Sequence, residues 1–144
     1  MSSTDHNQNP SSLDKQILQP AGWAAPRGYA NGVAATGRQV FVAGQIGWNA
    51  QCQFESDDFI AQVRQSLINI KAVLAEAGAT PAHITRMTWY LLDKREYLAR
   101  GREVGQAYRE VLGHEYQIAM SAVQVAGLME DRAKVEIEVT AVIP

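Results

Sequence analysis

Val40-Phe41-Val42-Ala43-Gly44-Gln45 decides how this chain folds. Its apolar part is rich in β-branched and aromatic residues, the composition of a buried strand. It closes on a glycine and an amide where such a strand would surface, and a glycine there admits a backbone or a ligand that a Cβ would exclude. Just upstream, Val33-Ala34-Ala35-Thr36 is a shorter apolar run. The pair Gly37-Arg38 separates the two, which predicts a hairpin of 33–36 with 39–45. Before it, Pro20, Gly22, Pro26, Gly28 and Gly32 predict a winding entry loop.

Downstream the period changes. Ile60, Val63, Leu67, Ile70 and Leu74 recur at helical spacing. Ser56-Asp57-Asp58 reads as the start of that helix, a capping hydroxyl followed by acids in the first turn, and Gly78 as its stop. Residues 84–92 carry Thr85, Thr88, Trp89 and Tyr90 and predict a strand. Asp93 and Glu96 resemble a cap for a second helix with the stripe Tyr97, Gly101, Val104, Tyr108 and Val111. Gly101 and Gly105 each cost a helix about 0.5–1 kcal/mol relative to Ala, so close packing against a sheet or a neighbour is expected to explain them. Residues 119–125 and 135–142 complete the set as two strands around a polar turn, 129–134.

This order predicts an α+β fold with one mixed sheet and both helices on one face. On the last strand Val135, Ile137, Val139 and Ala141 point one way, and Glu136, Glu138 and Thr140 the other. The carboxylates would share their face with Trp89 or Tyr90, Val123 and Met120, a mixture suited to a subunit interface with wet clefts. An ordinary solvated sheet face accounts for the same pattern.

With 144 residues, 47 % of them apolar, the chain has room for one core. A net charge of −2 offers no footprint for nucleic acid or an anionic membrane. Nothing approaches the roughly 20 apolar residues of a membrane span, and the polar start lacks the apolar core of a signal peptide. One cysteine, Cys52, rules out an internal disulfide framework and suits a reducing cytoplasm. Residues 1–15 are expected as a disordered or extended tail and 16–144 as the domain. His6, His83 and His114 lack ligand spacing with Cys, Asp or Glu, and no phosphate-cradling glycine loop occurs, so neither metal nor cofactor is expected.

Gly28-Tyr29, the run 40–45, the helix phrase Gln65-Ser66-Leu67-Ile68-Asn69-Ile70-Lys71-Ala72-Val73-Leu74 and the strand 135–141 together resemble the Rid/YjgF family, the reactive intermediate deaminases. The resemblance runs from about Gln16 to the end. It implies the family's chorismate-mutase-like fold, a homotrimer with its sheets facing a central barrel, and one small-molecule cleft at each subunit junction. It also implies hydrolysis of enamines and imines to a carbonyl compound and ammonia. Older labels of the family include translation inhibitor and endoribonuclease.

In deaminating members an arginine within the phrase Pro-Ala-Arg-Ser/Thr grips the substrate carboxylate. Here the phrase is Ile118-Ala119-Met120-Ser121. Arginine offers a planar fork matched to a carboxylate, and methionine only a flexible apolar arm. Losing one partner of a buried charge pair costs about 2–5 kcal/mol, so efficient turnover of small 2-imino acids is not expected. Gly105 replaces an asparagine frequent in deaminating members, and Ala122 a cysteine. Other positions match: Glu136 stands where the family's water-positioning glutamate stands, Tyr29 where a cleft-lining tyrosine stands, and Gly44 where a backbone N–H faces the ligand, with Gln45 beside it.

Glu136 is therefore the first candidate for catalysis, since desolvation in a cleft would tune a carboxylate for proton transfer with water. A salt bridge from Glu136 to Arg132 or Lys134 across an interface is the structural alternative, and Glu138 ranks second. Arg27 is a candidate for the anion contact that Met120 does not make, against the reading of a solvated loop arginine. Trp48 and Trp89 are candidate walls for a planar ligand, or else packing residues. Two functions compete: a deaminase-type hydrolase with reduced dependence on a carboxylate, and a non-catalytic trimer binding a metabolite in the same cleft. An endoribonuclease is disfavoured by the acidic balance and the absence of a Lys/Arg stripe.

Overall fold

The structure, a computed structural model, describes residues 12–144. The elements run β1 (Gln16–Leu18), β2 (Gly32–Ala34), β3 (Arg38–Ile46), α1 (Phe59–Glu76), a 3-10 turn at Pro81–His83, β4 (Ile84–Leu91), α2 (Lys94–Ala99), α3 (Gly101–Leu112), β5 (Ala119–Gln124) and β6 (Val135–Ile143). Alternation along β6 sets the layout: Val135, Ile137, Val139 and Ala141 are buried, while Glu136, Glu138 and Thr140 are half-buried on the opposite face. β6 lies inside a four-stranded sheet of order β3-β6-β4-β5, antiparallel to both neighbours, with β5 parallel to β4.

Helix α1 lays Ile60, Val63, Leu67, Ile70 and Leu74 on the buried face, and α3 adds Val104, Ala107, Tyr108 and Leu112. Fully burying side chains of this size contributes about 1.5–3 kcal/mol each, so this layer holds the fold together. Both long helices cover one face of a mixed sheet, as the sequence predicts.

Several local expectations need correction. β2 does not form a hairpin with β3. It pairs with β1, Gln16 opposite Ala34, while β3 pairs with β6, Arg38 opposite Ile143. A Cβ at Gly37 would stand 2.1 Å from the Ile143 carbonyl oxygen, so the chain turns there against the end of β6. The cap of α1 is Asp58, whose carboxylate accepts from Ala61 N at 3.0 Å, and its first turn carries no acid. Ser56 stands two residues earlier and accepts from Asp58 N. The second helix is two helices that meet at Arg100, which leaves helical geometry (φ −107°, ψ 28°). Its guanidinium ties Asp58 (2.9 Å) to Glu103 (2.6 Å) across that corner. Gly101 is not closely packed in the protomer, since no atom lies within 4 Å of where its Cβ would be.

The two faces also divide differently than expected. Tyr90 lies opposite Glu136 and Val123, on the carboxylate face. Trp89 lies opposite Ile137, and Met120 opposite Met87, so both belong to the helix-covered face. The register shift between Ile84 and Arg86 sets this parity.

Of the expected tail, residues 1–11 lie outside the described residues, and His6 with them. Lys15 is anchored: its ammonium donates to Ile84 O at 2.7 Å and Gln117 O at 3.0 Å. Burial lowers the pKa of that ammonium, with Glu115 opposing the shift.

Candidate functional site

An open cavity of about 740 Å³ lies where α3, the outer strand β5 and the entry loop meet. Ala30 holds the loop in place, donating its N–H to Ile118 O at 2.9 Å and bridging to Ala119 along the free edge of β5. Arg27, Gly28 and Tyr29 are thereby brought to the rim. The walls are aromatic: Trp89 and Tyr97 at 6.0 Å between centroids, and Tyr108 stacked on Tyr116 at 5.5 Å. Burial raises the pKa of the Tyr97 and Tyr108 phenols, and the Tyr108 hydroxyl donates to Glu115 O. Met120 completes the lining from β5. Apolar walls with a few polar groups at the rim give the cavity the make-up common to small-molecule sites.

A second cluster forms on the carboxylate face. Between Val42 and Gln45, strand β3 slips one residue against β6, so that Ala43 and Gly44 together oppose Glu138. The Glu136 side chain fills the space beside that bulge. A Cβ at Gly44 would lie 2.7 Å from its Cδ and 2.9 Å from Oε2, closer than real Cβ contacts come. The Gln45 amide donates to Ala43 O at 3.1 Å.

The two carboxylates of β6 have different surroundings. Glu138 accepts a 2.6 Å hydrogen bond from the Tyr90 hydroxyl, and this bond is the leading cause of the raised Tyr90 pKa. Glu136 receives no hydrogen bond from its own protomer and has no cation within 4.0 Å among the described residues. Within the chain Arg132 is committed elsewhere, to Asp57 at 2.9 Å and to the face of Phe54.

The candidates thus fall into two groups within one protomer. Arg27, Tyr29, Trp89 and Met120 line the cavity, whereas Gly44, Gln45 and Glu136 form the bulge cluster. Trp48 joins neither; it packs on Phe54 at 5.9 Å. Sequence reasoning missed Tyr116 and Arg109 as lining residues and read Tyr97 and Tyr108 only as a helix stripe. On α3 the i, i+4 relation of Tyr108 to Val104 and of Arg109 to Gly105 is the signal that marks a shared helix face. No cluster of three or more His, Cys, Asp or Glu side chains suited to a metal occurs among the described residues, and none of their helices is long and apolar enough to cross a membrane.

Such an architecture, a four-stranded mixed sheet with helices on one face and an apolar-walled cavity at its edge, defines a class, and comparison places the chain within it. The profile of the endoribonuclease L-PSP family matches residues 21–143. A RutC family protein of Haemophilus influenzae is 37 % identical over 106 residues, 74 % of this chain and 80 % of that protein. A Salmonella typhimurium protein named 2-iminobutanoate/2-iminopropanoate deaminase is 32 % identical over 131 residues, covering 90 % of this chain and 98 % of its own. A Rid-family structure from Yersinia pestis, YyfB, superposes with a TM-score of 0.74 at 30 % identity, over 89 % of this chain and 98 % of its own. The chain belongs to the Rid/YjgF family.

Proposed function

We propose that this protein is a deaminase-type hydrolase that converts a small reactive enamine or imine to a carbonyl compound and ammonia, with reduced dependence on a substrate carboxylate. The observation that carries this reading is the contrast on β6: Glu138 is occupied by Tyr90, while Glu136 stands over Gly44 with no side-chain donor among the described residues. Glu136 takes a proton from water as the water oxygen bonds to the C=N carbon and passes that proton to the imine nitrogen, giving a carbinolamine and restoring the carboxylate. Glu136 then takes the hydroxyl proton of the carbinolamine and delivers it to the amine nitrogen as the C–N bond breaks, so the carbonyl forms and ammonia leaves. One acid–base group contributes typically about 10²–10⁴-fold to such a reaction.

The cavity supplies recognition, with Met120 and the aromatic walls favouring apolar bodies over a bare 2-imino acid. Three copies arranged as the family resemblance implies would bring the bulge cluster of one protomer to the cavity of the next. Glu136, Gly44 and Gln45 would then face Tyr29, Met120 and Arg27. The lone exposed Cys52 and the bacterial relatives are consistent with a cytoplasmic setting. Non-catalytic binding in the same cleft is the second reading, favoured by Met120 because an apolar arm does not hinder binding. Generating imines and enamines in situ and following ammonia release separates the two. The expected result is a loss of about 100-fold or more in Glu136→Gln, whereas an equal rate in the variant and the native protein would leave binding as the function.

A further inference from the structure

Two guanidinium groups, those of Arg27 and Arg109, stand in the lining of the cavity among its apolar walls. Neither Arg27 nor Arg109 has a carboxylate within 4.0 Å among the described residues. By contrast, Arg64 is paired with Glu110 at 3.0 Å and Arg100 with Glu103 at 2.6 Å. Arg109 is placed in a particular way. It sits one turn after Gly105 on α3, and helical side chains lean toward the N-terminus. Its Nη1 lies 3.1 Å from the point a Cβ at Gly105 would occupy, and no other side chain comes as close to that point. A residue larger than glycine at 105 would crowd the guanidinium, so the bare helix turn is the seat on which the charged fork rests beside the cavity.

We propose that Arg109, seated over Gly105, is the anion-binding residue of this cavity, and that the ligand class is an amphipathic monoanion. The aromatic or apolar body of such a ligand lies against Trp89, Tyr97 and Met120, and its carboxylate is held at the rim. An arginine fork matches a carboxylate bidentately, and an unpaired guanidinium has no internal partner to give up. The cavity volume of about 740 Å³ leaves room for a ligand much larger than a three- or four-carbon imino acid. The charge is thereby moved from the floor, where Met120 stands, to the helix, which selects for ligands whose anion lies away from the reacting carbon. This assignment rests on the reading of the cavity as the recognition half of the proposed site. It concerns binding and is independent of the water chemistry assigned to Glu136.

The test uses 4-phenylbutyrate and its uncharged amide as a matched pair, with calorimetric titration of the native protein. The acid is expected to bind more tightly than the amide. Arg109→Gln is expected to weaken the acid about tenfold or more, the scale of a lost charge-assisted hydrogen bond, and to leave the amide within about twofold. Arg109→Lys keeps part of the preference. Gly105→Ala, whose Cβ would stand 3.1 Å from Nη1 and so displaces the fork without removing its charge, weakens the acid more than the amide. Equal weakening of both ligands by Arg109→Gln, loss of the preference only in Arg27→Gln, or no preference for the acid in the native protein would each overturn the assignment. Because the preference is read by calorimetry alone, a native protein that binds the acid more tightly than the amide but hydrolyses no imine would sink the proposed function and leave this inference standing.

Discussion

The sheet has two faces with opposite jobs, and β6 contributes to both by simple alternation. Under the helices, Val135, Ile137 and Val139 meet Leu67, Ile70 and Met87 in a core where these side chains are no more than 3 % exposed. On the other face Glu136, Glu138, Thr140 and Tyr90 stay half-buried, and Phe41 beside them is 72 % exposed. The first face is governed by volume and the second by polarity, so substitutions on the two should separate stability from chemistry. A large exposed phenylalanine next to partly shielded carboxylates is unlike a fully solvated face, and it fits the interface expected from the family resemblance.

The largest effect on stability should come from the covered face. Leu67→Ala removes a fully buried side chain and should cost about 2–5 kcal/mol in denaturant unfolding; a cost below about 1 kcal/mol would break the division. A smaller effect is expected at the start of α1. Asp58→Ala should cost about 1 kcal/mol, as loss of a side-chain cap does. The Arg100 guanidinium is the main cause of the depressed Asp58 pKa, followed by the backbone N–H of Ala61. A depressed carboxylate contributes stability above its unfolded pKa and loses it as pH falls through the folded value. The difference between native protein and Asp58→Ala should therefore be full at neutral pH and shrink only below about pH 4. The smallest effect belongs to the open face. Glu138→Gln retains an oxygen to accept from Tyr90 and should change stability by no more than about 0.5 kcal/mol, with imine hydrolysis kept. A loss of turnover equal to that of Glu136→Gln would show the two carboxylates acting as one unit.

What was legible in the sequence follows the same division. Helix α1 and strand β6 could be read because each carries its own period, 3.6 and 2, over many residues. The pairing of β1 with β2 could not, since three-residue strands hold too little pattern to choose partners. The apparent hairpin at Gly37-Arg38 was the nearer but wrong solution. Which face Trp89 and Met120 take depends on a bulge near Thr85, and a shift of one residue reverses every side chain. Glu136, Gly44 and Tyr29 were found through the family resemblance. Arg109 was not, because its position matters only through the bare turn at Gly105 and the cavity that α3 closes with β5.

The central claim is that Glu136 of one protomer serves the cavity of another, and mixing two inactive variants tests it most directly. Glu136→Gln removes the acid, and Gly101→Trp fills the cavity from a position where no atom lies within 4 Å of the new Cβ. Co-refolded in equal amounts, the two should regain about a quarter of native ammonia release, because a quarter of the junctions in a randomly mixed ring join two intact halves. A mixture as inactive as either parent would contradict a site shared between protomers.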